Sequence, residues 1–303
     1  MKRRQFLGAT AAAGGLVTLG APSAAEPPSQ AGQPFRLDYA PHFGMFREHG
    51  GGDWRGELNF IAAQGFRALE DNDMKRRPVT EQEAIGREMA RLKLRMGVFV
   101  AHTIYWQEPN LTSGRQDRRD EFLSEIRESV DAAKRINATW MTVVPGHEDL
   151  RLHHDYQTAN VIETLKRAAA ILEPNGLVMV LEPLNPRNHP GLFLKGIPQA
   201  WQICRAVDSP ACKILDDLYH QQVTEGNLIP NIDAAWEEIA YFQIGDNPGR
   251  KEPTTGEINF ANVFRHIREK GYTGILGMEH GNSRPGREGE LAVIRAYRDV
   301  DMG

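Results

Sequence analysis

Four blocks between Leu177 and Gly281 decide the reading of this chain: LVMVLEPLN (177–185), KILDDLYH (213–220), IAYFQIGDNPGR (239–250) and GILGMEHG (274–281). In each, an apolar strand-like run ends at or just before a residue carrying a side-chain oxygen. Those residues are Glu182, Asp217, Gln243 and Glu279, separated by 35, 26 and 36 positions. A barrel of eight β/α units built from about 250 residues spends roughly 31 on each unit, so the spacing is that of consecutive strand ends. Four such side chains would converge on one point above the barrel. The set suits a hard divalent cation.

Working outward, further strand-like runs lie near Phe35 to Ala40, Gly65 to Leu69, Arg95 to Ala101 and Thr139 to Val144. The second half repeats the pattern near Leu177 to Leu181, Lys213 to Leu215, Ala240 to Ile244 and Gly274 to Met278. Helical patterns fill the gaps, with apolar residues recurring at three and four in Asp120 to Ile136 and Val161 to Leu172. Gln64-Gly65, Asn175-Gly176 and Lys270-Gly271 stand just before strands, where a glycine can close a helix. Eight strands alternating with helices predict an α/β fold, a single-domain (β/α)8 TIM barrel over residues 35–303. A doubly wound open sheet would more naturally carry a glycine-rich first turn, and none is present.

The chain has 303 residues, 41% hydrophobic and 25% charged, with a net charge of -4, which argues against a broad basic surface for nucleic acid. Residues 1–25 stand apart. Lys2, Arg3 and Arg4 precede Gln5, Phe6 and Leu7, then a weakly apolar stretch ends in Ala21, Pro22, Ser23, Ala24 and Ala25. This is the plan of a twin-arginine export signal, so a periplasmic or exported location is expected. The stretch is too short and too rich in glycine and alanine for a stable membrane span. Residues 26–34, rich in Pro, Ser, Gln and Gly, read as a linker. Cys204 and Cys212 are too few for a disulfide scaffold; both read as packing residues, although an oxidising destination permits a bridge. A homo-oligomer is compatible with the sequence.

Taken singly, a Glu or Asp at a strand end is a helix cap or a surface charge. Four at successive strand ends point instead to the face where barrel enzymes place their chemistry. A cation held by two glutamates would polarise a substrate carbonyl and the adjacent hydroxyl. Two carboxylates on opposite sides of the bound carbon could then remove a proton and return one. Glu182 and Glu279 are the natural pair.

The blocks LEPLN, LDDLYHQQ, QIGDNPGRKEPTTGEINF and GMEHG resemble the hydroxypyruvate isomerase family, within the xylose isomerase-like sugar isomerase and epimerase barrels. The resemblance runs from about Thr139 to His280. It implies one divalent ion, Mg2+ or Mn2+, on Glu182, Asp217, Gln243 and Glu279. Asp217 rather than Asp216 is meant, because it stands three before His220. It also implies Glu182 and Glu279 as the acid–base pair, His220 and Arg250 as substrate contacts, and Glu257 as a residue of the same substrate loop.

The implied reaction is isomerisation of a small hydroxy-carbonyl compound through an enediolate, hydroxypyruvate to tartronate semialdehyde being the named guess. An epimerase, a lyase or hydrolase, a multi-metal phosphodiesterase, or a non-catalytic sugar- or carboxylate-binding barrel are the alternatives. The N-terminal half departs from the family pattern in LDYAPHFGMF and ALEDNDMKRR. Glu70 and His102 are expected as substrate contacts from these early loops, with His42 and His147 beside them. Substrate identity therefore rests on the region where the resemblance is thinnest.

Overall fold

All eight expected strands form. The computed structural model describes residues 32–302, with strands β1 (Asp38–Ala40), β2 (Ala68–Leu69), β3 (Arg95–Met96) and β4 (Trp140–Val143) in the first half. The second half supplies β5 (Val178–Leu181), β6 (Cys212–Asp217), β7 (Ile239–Gln243) and β8 (Ile275–Gly277). Six strands make one parallel sheet in the order β1-β8-β7-β6-β5-β4, and β2 pairs with β3. Isolated parallel bridges, His42 to Glu70 on one side and Met96 to Ala138 and Val100 to Thr142 on the other, join this pair to the sheet and complete the ring. The described residues form one compact unit.

The expected third strand, Arg95 to Ala101, is ladder only at Arg95–Met96. A Cβ at Gly97 would lie 2.3 Å from the Tyr241 hydroxyl and 3.0 Å from Glu70 Cβ, so the backbone here makes way for side chains filling the barrel. Beyond it the run continues as the single Val100 bridge.

Strand alternation decides what faces inward. Ala40, Ala68, Val98, Val180, Leu215, Tyr241 and Ile275 form a buried cluster of their own inside the ring. Two residues further along their strands stand Glu70, Glu182, Asp217, Gln243 and Gly277, on the same inward face. A register shift between Ile214 and Leu215 brings Asp217 level with Gln243, which pairs in turn with Gly277.

The outer layer comprises α1 (Trp54–Ala63), α2 (Val79–Leu92), α3 (Gln116–Ile136), α4 (His154–Leu172) and α5 (Ile197–Val207). It continues with α6 (Leu218–Thr224), α7 (Leu228–Ala235), α8 (Phe260–Glu269) and α9 (Gly286–Asp301). Helix α8 shows why these segments are helices: Phe260, Val263, Phe264 and Ile267 recur at three and four and are all buried. Each such side chain contributes about 1.5–3 kcal/mol on burial. The Asn259 side chain caps its start, accepting from the Asn262 N–H. Helix α4 begins at His154, a turn and more before the expected Val161, because the residue its first turns bury is the polar Gln157, so no apolar periodicity announces them. The three glycines expected to close helices all take positive φ.

Cys204 and Cys212 are buried free thiols. No described helix is long and apolar enough to cross a membrane. The expected export signal (1–25) and most of the linker (26–34) lie outside the described residues.

Candidate active site

The inward positions at the strand ends assemble an acidic centre. Glu182, Asp217 and His220 each offer a ligand atom within 4.8 Å of the others, all three side chains buried. Asp217 ends β6 and caps α6: its Oδ1 accepts from the Tyr219 and His220 N–H groups at 2.8 and 3.2 Å. Its Oδ2 accepts from Arg250 Nη2 at 3.0 Å. The same nitrogen donates to Glu279 Oε2 at 2.7 Å, while Glu279 Oε1 accepts from Asn72 at 2.9 Å.

Charge and burial pull these carboxyls apart. Burial, then the neighbouring Glu279 and Asp217 charges, pushes Glu182 well above the usual carboxylate range. Glu279 is pushed up to about 7 by burial, against the lowering effect of Arg250 and with Asp217 adding to the rise. Asp217 goes the other way: burial works to raise it, but His220, Arg250 and two backbone N–H groups hold it below its ordinary value. The site thus contains one firmly ionised carboxylate and two of raised basicity.

Asp216 faces the helix layer. Among the described residues neither of its oxygens has a hydrogen-bond partner, and burial pushes its carboxyl well above the usual range. It stands outside the acidic cluster.

Beneath the centre lies Glu70, 1% exposed. Its carboxyl accepts from the Tyr241 hydroxyl at 3.0 Å and from Gln243 Nε2 at 3.5 Å. It occupies space that only a glycine at 277 leaves open, since a Cβ there would fall 1.8 Å from Glu70 Oε2. Burial and the Glu279 charge push it well upward. With Nε2 turned to Glu70, Gln243 leaves its Oε1 buried with no partner among the described residues.

The His220 ring has a defined proton. Its Nδ1 accepts from the Asn185 backbone N–H at 3.2 Å, so in the neutral ring the proton sits on Nε2. Burial holds the ring neutral, its pKa lowered to about 4. Nε2 has no hydrogen-bond partner among the described residues and lies 3.7 Å from Asp217 Oδ2. A protonated nitrogen has no lone pair for a metal, so His220 is a donor here, although its distance alone would allow ligation. The donors left for a cation are Glu182, Asp217, Glu279 and the orphaned Gln243 Oε1. That oxygen set fits a hard divalent ion, and Glu182, whose carboxylate receives no hydrogen bond among the described residues, is free to join it.

Arg250 occupies a left-handed position, φ 49°, in a turn closed by its N–H to the Asp246 carbonyl at 2.9 Å. The buried Asp246 carboxylate holds the loop by accepting from Asn247, Gly256 and Ile258 N–H groups at 2.8–3.1 Å. Glu257 is exposed and works in the same loop, accepting from Asn247 Nδ2 and Gln222 Nε2 at 2.5 and 3.2 Å. It does not reach the cavity.

A cavity of about 300 Å3 opens over the centre, with Glu182, His220, Arg250 and Glu279 in its wall. His102 is absent from that wall. Its Nδ1 donates to the Thr103 carbonyl at 2.9 Å and its Nε2 accepts from the Val144 N–H at 3.2 Å, so both nitrogens tie backbone to backbone. His42 and His147 likewise bond carbonyls and stay outside. Asn72, Asn185, His189 and Trp106, which the sequence reading did not single out, complete the site. Only Asn185 carried a signal, as the last residue of LEPLN.

A closed parallel barrel with an acidic, cation-compatible mouth places the chain in a broad class of barrel proteins with their site above the strand ends. Within it, residues 58–299 match the xylose isomerase-like TIM barrel family, and the chain belongs to that family. It is 31% identical over 163 residues to hydroxypyruvate isomerase of Escherichia coli, covering 54% of this chain and 63% of that protein. It is 32% identical over 139 residues to 2-oxo-tetronate isomerase of Cupriavidus necator, covering 46% and 53%. The matched stretches thus span less than two thirds of either relative. A solved structure described as an AP endonuclease, family 2, from Brucella melitensis superposes with a TM-score of 0.75 at 25% identity, covering 86% of this chain and 99% of that one.

Proposed function

We propose that this protein is a divalent-metal-dependent isomerase or epimerase that moves a proton beside the carbonyl of a small hydroxy-carbonyl compound. The observation that carries the reading is the pair Glu182 and Glu279, one carboxyl buried and the other with 25% of its side chain exposed, in one cavity wall with His220. A binding protein has no use for such a pair. The relatives named as isomerases support the same class.

Glu182, Asp217, Gln243 and Glu279 would hold the cation, Mg2+ or Mn2+. When bound, the ion supplies Lewis-acid polarisation of the carbonyl and the adjacent hydroxyl oxygen. One glutamate, in its ionised form, removes the proton from the carbon beside the carbonyl as a general base. The carbon–hydrogen electron pair moves into the enediolate. Return of a proton to the neighbouring carbon gives the isomer, and return to the opposite face of the same carbon gives the epimer. His220 donates its Nε2 proton to a substrate oxygen, and Arg250 offsets the charge of Asp217 and Glu279.

Incubation with Mg2+ or Mn2+ and candidate substrates in D2O tests this directly. Deuterium is expected at carbon beside the carbonyl; its absence from every substrate would overturn the reading. The twin-arginine pattern at Arg3 and Arg4 adds a proposed location outside the cytoplasm. Arg3→Lys with Arg4→Lys is expected to retain the protein in the cytoplasmic fraction, and unchanged export would refute this placement.

A further inference from the structure

We propose that Asn72 is a positioning residue of the proton transfer: its side-chain amide fixes the Glu279 carboxyl in the orientation from which that carboxyl meets the substrate. The inference rests on the isomerase or epimerase reading above and adds a residue to it.

The fold carries the alternation of β2 one step past the end of the strand. Ala68 lies in the inner cluster, Glu70 reaches Gln243 beneath the acidic centre, and Asn72 borders the cavity. The backbone around Asn72 is tied down. The Asp71 N–H donates to the Val98 carbonyl and the Val100 N–H donates to the Asn72 carbonyl, each at 3.2 Å. The Asp71 carboxylate accepts from the Asp73 N–H at 3.2 Å and from Arg77 Nε at 2.6 Å. A side chain rooted in such a turn is well placed to hold another still. Asn72 also stands in ALEDNDMKRR, the block that departs from the family pattern, so the resemblance does not supply this contact.

The amide makes one bond and forgoes another. Nδ2 donates to Glu279 Oε1 at 2.9 Å, and an ionised carboxylate only accepts, so the nitrogen end of the amide belongs on Glu279. Its Oδ1 is left buried with no partner among the described residues. An orphaned buried acceptor destabilises a fold, and a side chain selected for stability alone would not carry one. What Asn72 gains in exchange is its hold on Glu279.

The two glutamates are supported unequally. Glu182 receives no hydrogen bond among the described residues, whereas Glu279 accepts on each oxygen, from Asn72 and from Arg250 Nη2 at 2.7 Å. Arg250 is divided, since the same nitrogen donates to Asp217 at 3.0 Å. Asn72 spends its only side-chain bond among the described residues on Glu279. A carboxylate oxygen has two lone pairs, so Oε1 keeps one for a proton while Asn72 occupies the other. The amide thereby sets the angle at which Glu279 gives or takes that proton, and a displacement of ~1 Å in such a group lowers rate by up to about 10^2-fold.

Crystal structures of the parent and of Asn72→Leu without substrate read the carboxyl directly. Turnover and deuterium uptake of hydroxypyruvate, D-erythrulose and D-fructose at saturating Mn2+ read the consequence, with Asn72→Ala and Asn72→Gln alongside. Glu279 is expected in one orientation in the parent and in a different or divided one in Asn72→Leu. In Asn72→Leu and Asn72→Ala, kcat is expected to fall about 10^2-fold with KM changed less than about threefold, and Asn72→Gln, which keeps an amide donor, to recover part of the loss. Asn72→Leu removes the orphaned acceptor together with the donor, so its Tm is expected to equal or exceed that of the parent. A Glu279 carboxyl that stays in place, a raised KM with kcat unchanged, or a lowered Tm in every variant would overturn the positioning role. A displaced carboxyl with undiminished turnover would refute that role and leave the isomerase standing. No exchange of any substrate by the parent would overturn the isomerase reading, and the role of Asn72 in it, whatever the position of Glu279.

Discussion

The Arg250 guanidinium lies against the Glu279 carboxylate, Nη2 to Oε2 at 2.7 Å, and so sits on oxygens that a metal ion would also claim. Two cations cannot share those oxygens without cost. Arg250→Ala is therefore expected to tighten Mn2+ binding by about tenfold, or ~1.4 kcal/mol, in a calorimetric titration without substrate. Turnover is expected to fall in the same variant. Weaker Mn2+ binding would show that Arg250 supports the ion site instead of competing for it.

Glu182→Gln and Glu279→Gln are each expected to lower kcat by about 10^2–10^4. Glu182 is buried, Glu279 keeps 25% of its side chain exposed, and desolvation pushes both carboxyls upward, so replacing either by an isosteric neutral amide removes the cost of ionising a desolvated carboxyl. Thermal melting should show a Tm equal to or above that of the parent. A sharp fall in Tm would assign these residues to the framework.

Asp216 and Asp217 are neighbours with opposite expected responses. Asp217→Asn alters a carboxylate bonded to Arg250 and to two backbone N–H groups, and should abolish most activity. Asp216→Asn substitutes a neutral amide for a partnerless buried carboxyl, and is expected to leave kcat within about twofold. Kinetics of the two variants side by side decide the matter.

Gly277→Ala should destabilise the fold by roughly 1–3 kcal/mol, because the new methyl collides with Glu70. Adding Glu70→Ala is expected to restore part of that loss. Denaturant unfolding of the single and double variants measures the coupling, and strict additivity would mean that the two do not touch.

One share of the stability, that of the buried histidines, should fall with acid, while the upward-shifted carboxyls Glu70, Glu182, Asp216 and Glu279 act in the opposite direction. His102 has its pKa lowered to about 4 by burial, against about 6.5 in an unfolded chain. Below pH 6.5 the unfolded chain binds a proton that the folded one refuses, so the contribution is complete above that pH and is lost between about 6.5 and 4. The slope is about 1.4 kcal/mol per pH unit from this group. His220, lowered to about 4, adds in the same direction. Denaturant unfolding of the parent and of His102→Gln from pH 7 to 4.5 isolates the His102 share as the difference between the two slopes, the parent losing about 1.4 kcal/mol more per pH unit.

Period-two alternation made the chemical half of this molecule legible. Val180 and Glu182, Leu215 and Asp217, and Tyr241 and Gln243 share inward faces, so the strand pattern also carries the choice of Asp217 over Asp216. Glu70 follows the same rule from Ala68, and its depth explains why it meets Gln243 instead of the cavity. Loop residues obey no period. His102 looked like a contact because it follows a strand, yet the nearby Thr103 carbonyl and Val144 N–H capture both of its nitrogens. Trp106 and His189 are far apart in sequence and gain meaning only when the loops stack. The third strand read too long because a glycine's role beside Tyr241 is set by a residue more than a hundred positions away.

The way the ring is joined separates two kinds of change. Glu182, Asp217, Gln243 and Glu279 all belong to, or directly follow, β5 to β8, which share one uninterrupted ladder. Asn72, Asp73, Arg76 and Trp106 follow β2 and β3, a two-stranded unit tied to that ladder through isolated bridges. Sequence drift at Asp73, Arg76 and Trp106 would reshape one side of the cavity without touching the ladder that carries the four oxygen-bearing residues, whereas Asn72, which donates to Glu279, belongs with that ladder.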